Sequence, residues 1–121
     1  MAYNEQLSER IREELAQVPL VEERYRFGGV CYMVDSKMCV GVVKDEMMCR
    51  IGPEMYEMAL EKSGCREMVF NGRPMKGYVF VGVEGYRRRA DFQYWIGLCL
   101  RYNPEAKQSV KKNKKWAEVS A

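Results

Sequence analysis

Between Asn4 and Val18 apolar side chains recur as Leu7, Ile11, Leu15 and Val18, with Glu, Arg and Gln filling the positions between them. That is the period of a helix with one buried stripe, with Asn4 as its N-cap and Pro19 as its stop. From Glu22 to Ile51 the pattern changes to β-branched, aromatic, Met and Cys residues, interrupted at Gly28-Gly29, Asp35-Ser36-Lys37 and Lys44-Asp45. Such runs between turn formers predict an antiparallel meander over about 22–27, 30–34, 38–43 and 46–51, the first two being separate strands or one strand bent at the glycines. Gly52-Pro53-Glu54 opens a second helix that runs to about Lys62, and Met68–Phe70 and Tyr78–Val83 are two further strands around the turn pair Asn71-Gly72. Phe92, Trp95, Ile96 and Cys99 mark a last helix from about Asp91, closed by Asn103-Pro104. The order α-β(3)-α-β(2)-α predicts an α+β, two-layer fold, an antiparallel sheet of about five strands with helices packed on it.

Register follows from the turns. With Asp35-Ser36 and Lys44-Asp45 as two-residue hairpin loops, Met33 faces Met38, Cys31 faces Val40 and Val40 faces Cys49. Cys31 and Cys49 then share a face two strands apart, too far for a disulfide, alongside Met33, Met38, Val40, Val42, Met47 and Ile51 as a wall under helices. The opposite face receives Val30, Tyr32, Val34, Cys39, Gly41, Val43, Glu46, Met48 and Arg50, apolar enough to expect a cover. A tail or loop, a partner protein or a second copy of the chain in a homodimer would each serve, with Tyr32, Val43 and Met48 as the contact residues. A one-residue slip would break this scheme.

Composition narrows the chemistry more than the fold. At 121 residues, 47% hydrophobic and 31% charged, the chain has the make-up of a single globular domain. It has no run of 18 apolar residues and its N-terminus lacks the layout of a secretory signal, so a cytoplasmic location without a membrane segment is expected. There is no histidine, which excludes Ser-His-Asp and Cys-His catalysis and His-bearing zinc sites. Cys31, Cys39, Cys49, Cys65 and Cys99 form no CxxC, and their odd number in a cytosolic chain points to free thiols. Cys39, beside Arg50 in this register, is the one thiol to consider reactive. Glu13-Glu14, Glu22-Glu23 and Asp45-Glu46 are adjacent pairs whose side chains point apart, so none forms an acid/base couple. No catalytic residue, metal site or cofactor is expected.

The net charge of +3 sits in the tail: residues 104–121 hold five Lys against two Glu, whereas residues 1–103 balance. The division expected is a domain over 1–103 and a basic, flexible tail over 104–121. Two cationic groups are candidates for anion contact. Arg73 and Lys76 flank a turn with free backbone amides. Arg87, Arg88 and Arg89 precede the last helix and, with Lys111, Lys112, Lys114, Lys115 and the aromatics Tyr86 and Trp116, could serve phosphate contact and base stacking. A solvated linker and tail is the plainer reading of the same residues. The GxxG of Gly82–Gly85 follows a strand instead of joining two helices, so it is not an RNA-binding clamp, and no phosphate-binding glycine loop occurs.

Several segments together, Phe27-Gly28-Gly29, Lys37-Met38-Cys39-Val40-Gly41-Val42, Arg50-Ile51-Gly52-Pro53 and Gly72-Arg73-Pro74-Met75-Lys76-Gly77, resemble the N-terminal domain of the TfoX (Sxy) competence-regulator family over about residues 1–102. The resemblance implies a two-layer domain like that of type III secretion chaperones, with a five-stranded antiparallel sheet. It also implies a role beside transcription, since those regulators act as coactivators with the cyclic-AMP receptor protein. They carry a second, C-terminal helical domain where this chain has its basic tail, and the family supplies no catalytic residues. The expectation is therefore a stand-alone, non-enzymatic interaction module, an accessory to transcription through contact with a protein partner of the transcription machinery. The alternative is direct nucleic-acid binding by the tail with Arg87–Arg89.

Overall fold

Asn4 caps the first helix as expected: its Oδ1 accepts the Leu7 N–H at 3.0 Å, opening α1 (Glu5–Glu14). The computed structural model describes residues 3–26 and 28–106, the side chain of Phe70 excepted. After α1 the meander consists of β1 (Val21–Arg26), β2 (Gly29–Val34), β3 (Lys37–Val43) and β4 (Glu46–Arg50). Asp35 and Ser36 take φ of 54° and 67°, the left-handed pair of a tight hairpin whose twist matches the strands. Then come α2 (Pro53–Leu60), the hairpin β5 (Cys65–Phe70) and β6 (Arg73–Val81) turned at Asn71-Gly72, the single turn α3 (Val83–Tyr86), α4 (Arg89–Tyr102) and a 3₁₀ turn over Asn103–Glu105.

The strands form one antiparallel sheet in the order β1-β2-β3-β4-β6-β5, six strands where about five were expected. Two strands flank Gly28, so the glycines separate β1 from β2. β6 lies inside β5 because its Tyr78–Val81 run is apolar on both sides, whereas the charged Arg66 and Glu67 suit an edge.

Register departs from expectation at one residue. Met33 faces Met38 and Val40 faces Cys49, but Cys31 faces Gly41, because a bulge follows Met38. The extra residue is Cys39, so Cys39 and Val40 both enter the core beneath the helices. Beyond the bulge β2 is inverted relative to the sequence register. Val30, Tyr32 and Val34 join Val40, Val42, Met47, Cys49 and Ile51 under the helices, while Cys31, Met33 and Met38 lie on the other side with Met48. Cys31 and Cys49 thus occupy opposite faces, and all five cysteines are free.

Leu7 and Ile11 of α1 with Leu15 at its C-cap, Tyr56 and Ala59 of α2, and Phe92, Trp95, Ile96, Leu98 and Cys99 of α4 cover the first face. Each large side chain buried there contributes about 1.5–3 kcal/mol. Across the sheet Cys31, Met33, Met38, Met48 and Met68 form a second, smaller core. Between Glu67 and Val69 the β5–β6 pairing slips, and Gly77 adopts φ +96° at this irregularity, which places Met68 and Met75 against that face. Part of the cover is therefore the chain's own hairpin.

Candidate functional site

The α2 helix begins at Gly52, whose φ of +90° and whose contact with Tyr102 both require glycine. A Cβ there would lie 2.4 Å from the ring. The Gly77 carbonyl accepts the N–H groups of both Ile51 and Gly52, at 2.8 and 3.1 Å, tying β6 to this turn. Lys37 reaches the same end of α4, its Nζ donating to the Asn103 carbonyl at 3.1 Å, a cation on a helix C-terminus. Asn103 in turn donates from Nδ2 to the Val34 carbonyl at 3.1 Å. Arg50 lies between the Tyr78 and Tyr102 rings, its guanidinium 5.2 and 6.0 Å from their centres.

Between the start of α2 and the end of α4 this arrangement leaves an open groove of about 340 Å³. Ile51, Met55, Leu98 and the Tyr102 ring are its apolar lining, and Glu54, Arg101 and Glu105 supply charge of both signs. Three of the four segments that carry the family resemblance come to it or next to it: Ile51, Gly52 and Pro53 in the lining, Gly77 bonded behind the turn, and Lys37 on the Asn103 and Pro104 carbonyls at the end of α4. Sequence reasoning missed Leu98, Arg101, Tyr102 and Glu105, since nothing along the chain pairs the end of α4 with Gly52.

The residues expected to bind a partner are not together. Tyr32 is fully buried under α1, its hydroxyl bonded to the Ser8 hydroxyl and donating to the Ser8 carbonyl at 3.1 Å. It is no part of the outer face, a direct consequence of the bulge. Met48 and Val43 do lie on the far face, Met48 buried and Val43 half-buried within the second core. Cys39 is likewise buried, hydrogen-bonded to Cys99, and this contact together with burial pushes its thiol far above the usual range. Burial raises Cys99 as well, and lifts Cys31 and Cys65 to about 11. Reactive thiolates need the opposite environment.

The cations are also dispersed. Arg73 and Lys76 are exposed near the β5–β6 turn, and Arg87, Arg88 and Arg89 are exposed between α3 and α4. Arg73 and Lys76 lie in the first half of β6, and the five residues of that strand after Lys76, about 17 Å at ~3.3 Å each, intervene. Lys111, Lys112, Lys114 and Lys115 lie outside the described residues. Among the described residues no group of three His, Cys, Asp or Glu side chains is placed to hold a metal ion, and no helix is long and apolar enough to cross a membrane.

A six-stranded antiparallel sheet with its helices on one face defines a two-layer α+β domain. The family model for the TfoX N-terminal domain matches residues 13–103, and the chain belongs to that family. No curated protein and no solved structure matches it.

Proposed function

We propose that the chain is a non-enzymatic interaction module of this family that acts in the cytoplasm as an accessory to transcription, contacting a protein partner through the groove between α2 and α4. The observation that supports this most is one open, partly apolar groove lined by Ile51, Gly52 and Pro53, with Gly77 bonded to that turn and Lys37 to the carbonyl that ends α4. The raised thiols and the lack of histidine favour a binding role over a catalytic one. The test is fluorescence anisotropy of promoter DNA with purified cyclic-AMP receptor protein, adding wild-type chain or a Met55→Asp, Arg101→Glu variant. Wild type should enlarge the complex, and the variant should weaken this by about tenfold or more. A complex that wild type leaves unchanged would overturn this partner, and an equally active variant would overturn the groove.

A second reading is direct nucleic-acid contact. Arg87, Arg88 and Arg89 are exposed and make no ion pair among the described residues. In duplex titrations at two salt concentrations, each phosphate these residues and the tail neutralise would contribute a slope of about −0.9. An Arg87→Gln, Arg88→Gln, Arg89→Gln variant with unchanged slope removes the three arginines from that reading.

A further inference from the structure

An open sheet ends in two edge strands whose outward backbone groups are available for pairing, and proteins blunt such edges with bulges, proline or lysine. Here the edges are β1 and β5. β5 is blunted by the slip between Glu67 and Val69. β1 has no such device: Val21–Arg26 pairs with β2 at six consecutive positions without a shift, and it contains neither proline nor lysine. Among the described residues no backbone bond other than those to β2 reaches this strand. Tyr25 and the adjoining Leu20, at 72% and 70%, are also the most exposed large apolar side chains among the described residues.

The charges along β1 complement themselves. Glu22 and Arg24 share the face turned away from the helices, opposite Met33 and Cys31, and bond each other at 3.1 Å. Val21, Glu23 and Tyr25 share the helix face, where Arg12 holds Glu23 through two bonds of 2.8 and 3.2 Å. Antiparallel pairing of two copies about a two-fold axis at Glu23 sets Glu22 of each opposite Arg24 of the other, and Val21 opposite Tyr25. Opposite charges and an aromatic on a β-branched residue are both favourable cross-strand pairs. The two Glu23 carboxylates meet near the axis, each neutralised by its own Arg12. Moving the axis to Glu22 or to Arg24 sets like charges opposite each other and separates Tyr25 from Val21, so one register is selected.

We propose that β1 is the interface between two copies of this chain, paired antiparallel through Val21–Arg26 with the axis at Glu23, so that the two sheets run on as one. Pairing satisfies the outward backbone N–H and C=O groups of the strand and takes Tyr25 out of water against Val21 of the other copy. Six residues a side make a small interface, so the association is of the weak class and is read at high protein concentration. No residue of β1 lines the α2–α4 groove, and the inference does not rest on the function proposed above.

The test is sedimentation velocity of the full chain at concentrations up to about 1 mM. The mass should rise from one chain to two. Glu22→Arg and Arg24→Glu each bring like charges face to face and should weaken the dimer by about tenfold or more. Mixed in equal amounts, the two variants should dimerise again, because Glu22→Arg in one copy then faces Arg24→Glu in the other, and the unchanged Arg24 faces the unchanged Glu22. Both side chains reach solvent, so the fold is kept, which circular dichroism checks. A wild-type chain that stays monomeric throughout would overturn the interface. So would a dimer that both single variants keep, which places the contact on another surface, or a mixture no heavier than its components.

Discussion

The Tyr32 hydroxyl is both donor and acceptor to Ser8, in a place neither residue shares with water. Tyr32→Phe strands the Ser8 hydroxyl without adding volume, so it should cost about 1–2 kcal/mol in a urea melt. Tyr32→Glu would bury an unpaired charge and should leave the chain unfolded at room temperature, seen as loss of the near-ultraviolet dichroism. Glycines separate in the same way. Gly52 combines φ +90° with the Tyr102 ring, while Gly72 has φ +76° and nothing within 4 Å of a Cβ. Gly72→Ala should cost about 1 kcal/mol from backbone strain alone, and Gly52→Ala at least twice as much, with the α2–α4 groove disturbed. Of these two positions the sequence announces Gly72, through Asn71-Gly72, but the reason for Gly52 lies in a ring fifty residues further on.

At the scale of elements, the helices and the meander were legible because their signals are local. Asn4 and the stripe of Leu7, Ile11 and Leu15 mark α1 whatever surrounds it. Asn4→Ala should cost about 1 kcal/mol by losing the cap, and its loss of the 3.1 Å bond to Asp45 should loosen α1 from the β3–β4 turn. Hydrogen exchange at Leu7 would report both. The bulge was not legible. Residues 38–43 read Met-Cys-Val-Gly-Val-Val, apolar at every position, so no polar residue marks which face is which and either register buries the same chemistry. That ambiguity put Tyr32 on the wrong face, while Val43 and Met48 lie on the far face as the sequence register has them. The interior placement of β6 escaped for a related reason: hairpin partners are predictable from a turn, but which of the two joins β4 depends on which has apolar residues on both sides.

For the molecule as a whole, two cores back to back mean that ionisable thiols and phenols are held neutral on both faces. Cys31 sits in the outer core, Cys39, Cys99 and Tyr32 in the inner, and Tyr78 at the edge of the outer, each with its pKa raised and burial among the causes. The sign follows directly. A group whose folded value lies above its unfolded one keeps its proton on folding, so its contribution is complete below the unfolded value and is lost as pH rises toward the folded one. For Cys31 that window opens near 9 and closes near 11, and the tyrosines add to it from about 10 upward. With no histidine in the chain, no imidazole titrates near neutrality. Urea midpoints should therefore change little between pH 7 and 8 and fall above pH 9, at up to about 1.4 kcal/mol per pH unit for each proton released on unfolding. Cys31→Val should reduce the slope between pH 9 and 11 by about one proton's worth, because valine cannot ionise in the unfolded chain. A slope that Cys31→Val leaves intact would mean that Cys31 is not the group whose burial sets the alkaline limit, and the loss would then have to come from the thiols and phenols beneath the helices.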